Sequence, residues 1–497
     1  MESHELKRKT FHSTVWNAVR IATSNLLSFV VFSVLTRILS PREFGIFALA
    51  SVVIEFARIL TSAGLADAVM RTKELDETFA DTAFWANLLL GCGVGIVTWV
   101  GAPLYASMTL QPEVTPILRW LALLIPISSL SGIHIARKLR EFGYKPLAIR
   151  MVIGSLLGGF AAVAAAFSGF GVWSLVIQAA ITDTVGCILV WQTYPWRPRL
   201  RFRGGLFANV FSFSASVMLT QVMFTILIRI QDMVIARFVS ASAVGVYRVA
   251  WRLNGLIVQT TNQPLADISL VTFAQLQDDR TRFRGAYLRM LGLGAFFTFP
   301  ALFGLGALSD EIIPLLFGPK WASASDIVKI LTFMAVPIVL NNFGGQALAA
   351  LGRSGTIAKV ATVQATLTLV FSLLAAPYGL WWIAVAYVFR AYLTLPYFLA
   401  QLQRETGVSG LSMLRAVTAP FIASVLMVGM LFIISVSLRS QLGSGLAYVV
   451  ASTVLGAAFY AAALWLIGGD YIRMNVIALR PLWSEFASKS AASDRLE

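Results

Sequence analysis

The chain has 497 residues, 58% of them hydrophobic and only 13% charged, and carries a formal net charge of +15. Soluble domains hold about 45–50% apolar and about 25% charged residues, so a soluble enzyme or binding domain is excluded. The basic residues sit in short breaks between apolar runs, which is how membrane helices are oriented, and this excludes a nucleic-acid-binding face.

Fourteen apolar runs are long enough to cross roughly 30 Å of hydrocarbon. They cover 14–38, 45–69, 81–106, 116–136, 147–168, 171–193, 208–236, 243–268, 287–308, 325–348, 356–376, 380–401, 412–437 and 444–467. The first follows Lys7, Arg8 and Lys9 and contains Asn17, Arg20 and Asn25. It is too long and too polar for a cleaved signal segment and reads as a membrane helix. With the N-terminus in the cytoplasm, the inner breaks collect Arg137, Lys138, Arg140 and Lys145, then Arg197, Arg199, Arg201 and Arg203, then Arg280, Arg282 and Arg284. The outer breaks hold little beyond Arg42, Lys320 and Arg439. That asymmetry predicts both termini inside. No break is long enough to fold as a domain. Cys92 and Cys187 lie within apolar runs, and no disulfide framework or metal motif follows from them.

The sequence resembles itself at an offset of about 200 residues. Arg37-Ile-Leu-Ser40 recurs as Arg237-Phe-Val-Ser240, Gly45 matches Gly245, Phe47 matches Tyr247 and Ala50 matches Ala250. Farther on, Pro126 matches Pro337, and Gly171-Val-Trp173 matches Gly379-Leu-Trp381. An even, six-helix repeat places both copies in the same orientation, related by an axis along the membrane normal. The expected fold is an all-α integral membrane protein of about 14 transmembrane helices. It has two pseudo-symmetric six-helix lobes, 1–200 and 201–405, then two extra helices over 406–470 and a cytoplasmic tail over 471–497. Prolines and glycines inside the runs, among them Pro126, Pro264, Pro300 and Pro337, are candidate kinks or hinges.

Charges inside the runs are the candidate functional residues, because an arginine at the bilayer centre costs roughly 2.5–3.5 kcal/mol to insert. They are Arg20, Glu55, Arg58, Arg229, Asp232, Arg248 and Arg252, with Asp183 and Arg390 apart from the rest. Glu55 and Arg58 are three residues apart, as are Arg229 and Asp232. Two readings stay open for these four: intrahelical ion pairs that make insertion tolerable, or charges facing a watery cavity. Arg20, Arg248 and Arg252 have no acid within a turn. They are expected either to snorkel or to line a cavity and bind an anion, phosphate and pyrophosphate being the groups that match a guanidinium fork. Glu55 and Asp232 are the candidate charge partners or ion-coupling groups. No GxxxxGK[ST] loop for ATP is present.

Ser40-Pro-Arg-Glu-Phe-Gly45 followed by Ala48-Leu-Ala50 resembles the first outer loop of bacterial polysaccharide flippases of the Wzx type. Gly64-Leu-Ala-Asp-Ala68, Phe84-Trp85 with Asn87, Arg140-Glu-Phe-Gly-Tyr-Lys-Pro-Leu-Ala148, Gly245-Val-Tyr247, Leu316-Phe-Gly-Pro-Lys-Trp321 and Leu351-Gly-Arg353 continue the likeness over most of residues 10–405. The resemblance implies the fold of the multidrug/oligosaccharidyl-lipid/polysaccharide exporter superfamily. It also implies a non-enzymatic carrier in the bacterial inner membrane that moves undecaprenyl-pyrophosphate-linked glycan units. No cofactor is implied beyond a coupling ion, H+ or Na+, and a polysaccharide polymerase or export machinery is an implied partner. Two rivals are a drug/cation antiporter of the same fold and a membrane polysaccharide polymerase or ligase. The first needs buried acids rather than arginines, and the second typically carries a large outer loop that this chain lacks.

Overall fold

The computed structural model describes residues 26–62, 69, 76–141, 143–203, 225 and 229–468. By internal contacts the chain divides into two compact units, 1–248 with 372–380, and 249–371 with 381–497.

The first unit holds α1 (Leu26–Ile38), α2 (Pro41–Ser62), α3 (Glu77–Thr109), α4 (Val114–Ala122), α5 (Leu124–Arg140), α6 (Tyr144–Phe167), α7 (Trp173–Thr193), α8 (229–238) and the start of α9 (Ala241–Thr261). Most of α9 belongs to the second unit. So do α10 (Gln263–Gln275), α11 (Arg280–Ala307), α12 (Ser309–Phe317), α13 (Ala324–Thr332) and α14 (Ala335–Ala350). It also takes most of α15 (Ser354–Ala375) and α16 (Leu380–Thr406), with α17 (Gly410–Leu442) and α18 (Leu446–Ile467). Ten spans among the described residues are long and apolar enough to cross a membrane, and α13 with α14, bent by 57°, makes up to eleven. The chain is thus a multi-pass, all-helical membrane protein. The first, second and seventh predicted runs lie partly outside the described residues. The predicted eighth run is not one continuous span: it breaks at Asn262, and Arg248 and Arg252 lower the apolarity of α9.

The duplication is legible in local geometry. In each repeat the fourth span is two half-helices, α4 with α5 and α13 with α14. Pro126 and Pro337 both occupy the third position of the second half, where a proline's missing N–H has no intrahelical acceptor to lose. The turns before α7 and α16 likewise match, since Gly171 at φ 53° and Gly379 at φ 97° adopt the left-handed backbone that only glycine takes without strain.

Within the first unit, small residues let helices approach, the usual device where lipid supplies no hydrophobic drive. Gly154 and Gly158 of α6 face Thr182 of α7, whose hydroxyl donates to the Gly154 carbonyl at 3.3 Å. The tightest approach is between the starts of α2 and α9. A Cβ on Gly45 would collide with the Ala241 carbonyl, and one on Gly245 would collide with the Pro41 carbonyl. Each added carbon would also sit 3.2 Å from the other glycine's backbone nitrogen. The repeat-related residues therefore pack reciprocally, backbone against backbone.

The core of the second unit is aromatic. Phe273, Tyr287, Phe299, Phe343 and Phe398 lie buried among α10, α11, α14 and α16. The last two helices dock on the same core through Met413, Met427 and Leu431 of α17 and Tyr460 of α18, whose hydroxyl donates to the Phe296 carbonyl at 2.9 Å.

Candidate functional site

Charged side chains of α2, α7, α8 and α9 meet inside the first unit. Arg229 on α8 grips Glu55 on α2 with both ends of its fork, Nε to Oε2 at 2.6 Å and a terminal nitrogen to Oε1 at 2.9 Å. Arg248 on α9 pairs with Asp232 on α8 at 2.8 Å. Arg58 on α2 pairs with Asp183 on α7 at 2.5 Å. The intrahelical pairings Glu55–Arg58 and Arg229–Asp232, open on spacing alone, do not form. A carboxylate on a neighbouring helix can meet a guanidinium side-on and satisfy two N–H groups, which an i+3 neighbour on the same helix cannot do as well. Arg248, expected to snorkel or to line a cavity on its own, instead has a carboxylate on the adjacent helix.

The neighbours of these ions are ordered by neutral hydrogen bonds. Tyr247 donates to Gln231 Oε1 at 2.5 Å, and Gln231 Nε2 donates to Ser372 Oγ at 3.1 Å. Tyr105 of α3 donates to the Leu49 carbonyl at 3.0 Å. The Asp232 side chain is 3% exposed, whereas the Glu55 and Arg229 side chains are 37% and 24% exposed. The Asp232 carboxylate is enclosed, whereas that of Glu55 is open to approach. Arg252 follows Arg248 by four residues on α9 and is half-buried. Arg20 lies outside the described residues.

Sequence spacing missed the partners. Asp183 stood apart as a lone intramembrane acid, and its cation is 125 positions away in the chain. The only signal for it was the rarity of acids in apolar runs.

A second constellation holds the segment after α7. Trp196 donates its indole N–H to Glu77 at 2.8 Å, Trp85 donates to the Arg199 carbonyl at 2.9 Å, and the Arg199 and Arg203 amides donate to Asp81 and Thr82 at 3.0 and 3.2 Å. Arg137 bridges Glu77 at 2.9 Å and lies 4.5 Å from the Trp196 ring centroid. His134 is buried between Trp191 and Trp196. Tyr194 donates to Glu141 at 2.8 Å, and burial together with that bond raises its hydroxyl pKa above the ordinary value. The backbone of this strap is pinned while the side chains of Arg197, Arg199, Arg201 and Arg203 stay exposed. Removing Asp81 and Glu77 together (D81N/E77Q) should free it. Trypsin cleavage at Arg199–Arg203 should then quicken roughly tenfold, the equivalent of about 1.4 kcal/mol of lost local restraint. Equal cleavage rates in wild type and variant would show that the strap is held by something else.

The arrangement is a set of arginines, each facing a carboxylate on a different helix, in a helical scaffold. Its likeness to known proteins follows the same line. The solved structure of the lipid II flippase MurJ in an inward closed conformation superposes with a TM-score of 0.75 at 13% identity, over 92% of this chain and 99% of that one, a likeness of fold. The succinoglycan biosynthesis transport protein ExoT of Rhizobium meliloti is 28% identical over 316 residues, 64% of each chain. The lipopolysaccharide biosynthesis protein WzxC of Escherichia coli is 24% identical over 347 residues, 68% of this chain and 69% of its own length. The chain thus spans about two-thirds of these relatives. A family model described as polysaccharide biosynthesis protein matches residues 34–326, which takes in α2 through α12 and every ion pair described above, and the chain belongs to that family.

Proposed function

We propose that this protein is a flippase: a transporter, not an enzyme. It carries undecaprenyl-pyrophosphate-linked oligosaccharide units across the bacterial inner membrane by alternating access, supplying exopolysaccharide or lipopolysaccharide synthesis. Both termini face the cytoplasm, and the two six-helix repeats are the lobes that alternate. The observation that carries this reading is the Glu55–Arg229 pair, a partly accessible guanidinium fork held by an acid of a membrane-spanning helix in a polysaccharide biosynthesis protein. The transport function in ExoT's name and the flippase fold of MurJ support it.

The pairing gives the arginines a more specific task than binding an anion outright. A pyrophosphate entering the site competes with Glu55 for the fork of Arg229, and phosphate matches that fork as well as carboxylate does. Displacement leaves Glu55 without its cation, so the freed carboxylate is the natural seat for a coupling ion, H+ or Na+. Arg58, Arg248, Arg252 and Arg20 add positive charge that holds the anion, and Asp232 keeps Arg248 in place.

Deletion of the gene should leave lipid-linked repeat units accumulated on the cytoplasmic leaflet. Accumulation on the outer leaflet would instead indicate a polymerase. Glu55→Gln and Arg229→Gln break a partly exposed pair, so each should cost about 1 kcal/mol or less of stability. Export should nonetheless fall more than tenfold in both. The charge-swapped double variant E55R/R229E restores a bridge but not its orientation; normal export by that variant would reduce the pair to a structural role.

A further inference from the structure

Arg390 lies near the middle of α16 and is 5% exposed. In the first unit Arg58, Arg229 and Arg248 each face a carboxylate. Arg390 does not: among the described residues it forms no ion pair, and its buried Nε has no hydrogen-bond acceptor. What it has is an aromatic ring. The guanidinium carbon lies 4.5 Å from the centroid of Tyr387, one turn earlier on the same helix, and the Tyr387 ring meets Trp251 of α9 edge-on at 5.4 Å.

The magnitudes do not balance in this state. A desolvated cation–π contact recovers only part of the cost of taking a cation out of water. The larger part of that cost stays uncompensated even after the surroundings relax. A cation kept in the membrane at that deficit is a functional group by default, and its missing partner is an anion. The half-buried Tyr387 ring lies over the guanidinium, and a change of its rotamer would take that cover away.

We propose that Arg390 is a second anion-binding residue, in the second unit, which takes a phosphate-bearing group of the transported lipid when Tyr387 moves aside. This rests on the flippase reading above and adds to it a residue outside the ion-paired cluster. It also makes Tyr387 the gate to that residue.

The test uses the full-length protein in nanodiscs, with geranylgeranyl pyrophosphate as probe, geranylgeraniol as the uncharged control and inorganic pyrophosphate as the lipid-free control. Binding is read as the ligand-induced rise in unfolding temperature across a titration. Replacing a buried, unpaired ion with an apolar side chain of similar length is neutral or stabilising, so R390M should unfold at or above the wild-type temperature. It should bind geranylgeranyl pyrophosphate at least tenfold more weakly while its response to geranylgeraniol is unchanged. An affinity within twofold of wild type would overturn the role of Arg390 and leave the flippase reading standing. A wild-type protein that does not distinguish the pyrophosphate from the alcohol would overturn both. Inorganic pyrophosphate binding as tightly as the lipid would overturn the claim that the anion is lipid-borne. Should R390M not fold, R390K decides, since it keeps the charge and loses the fork: a threefold or greater loss supports the proposal and wild-type affinity overturns it.

Discussion

Replacing Gly45 with alanine is expected to cost about 3 kcal/mol, the upper end of the range for overpacking a tight contact. The added methyl group meets the Ala241 carbonyl, which is backbone and has no rotamer by which to retreat. To admit it, α2 and α9 must move apart along their whole crossing. Gly245→Ala should behave the same way against the Pro41 carbonyl. The control is Gly93→Ala on α3, where nothing lies within 4 Å of the new carbon. There the substitution should stabilise the helix by up to about 1 kcal/mol, because glycine loses more backbone freedom on folding than alanine. The measurement is the temperature at which half of the detergent-solubilised protein leaves its monodisperse peak. If Gly45→Ala and Gly93→Ala shift that temperature in the same direction, the crossing is not the close contact described above.

Asp232→Asn is the second large effect, at about 3–5 kcal/mol. The Asp232 side chain is 3% exposed and is the carboxylate facing Arg248. The variant leaves the Arg248 charge buried opposite a neutral amide. The cost comes from the stranded cation and not from the intrinsic strength of the bridge, and this gives a second expected result. The double variant D232L/R248M removes both charges and should recover most of the lost stability. A full double-mutant cycle then gives a coupling of more than about 2 kcal/mol, well above what an exposed pair shows. A double variant as unstable as Asp232→Asn would mean that the pair contributes its own favourable energy. Folding and export should separate in this variant, since a protein without Arg248 has lost one of the cations that hold the substrate.

The sequence carried the helices and the duplication well, because both are properties of runs and of order along the chain. Among the described residues apolar length located the spans apart from the eighth run, which breaks at Asn262, and Pro126 with Pro337 marked the broken fourth helix of each repeat. It carried the ion pairs poorly. Spacing reports only what lies within a turn on the same helix, so the partners it can offer are Arg58 for Glu55 and Arg229 for Asp232. The partners observed come from helices 125 and 174 positions away for Asp183–Arg58 and Glu55–Arg229. The aromatic clamp on the strap was equally hidden. Trp85, His134 and Trp196 belong to three separate segments, and nothing in any one of them announces the other two. Arg390 stood out in sequence as a buried charge, but that it lacks a carboxylate is a fact about its surroundings.

The reciprocal crossing of Gly45 and Gly245 has a history written into it. Position 41 meets 245 and position 45 meets 241, the exchange pattern of an isologous contact between identical subunits. A half-length ancestor with this segment had only one glycine to keep, and every change at that glycine was felt twice, once from each side of a dimer. Fusion of the two halves into one chain ended that constraint. Pro41-Arg-Glu-Phe became free to differ from Ala241-Ser-Ala-Val, and Glu43 now accepts hydrogen bonds from the Ser40 amide and hydroxyl that Ala243 cannot accept from Ser240. The two glycines did not take that freedom, because each one still has the other's backbone as its wall.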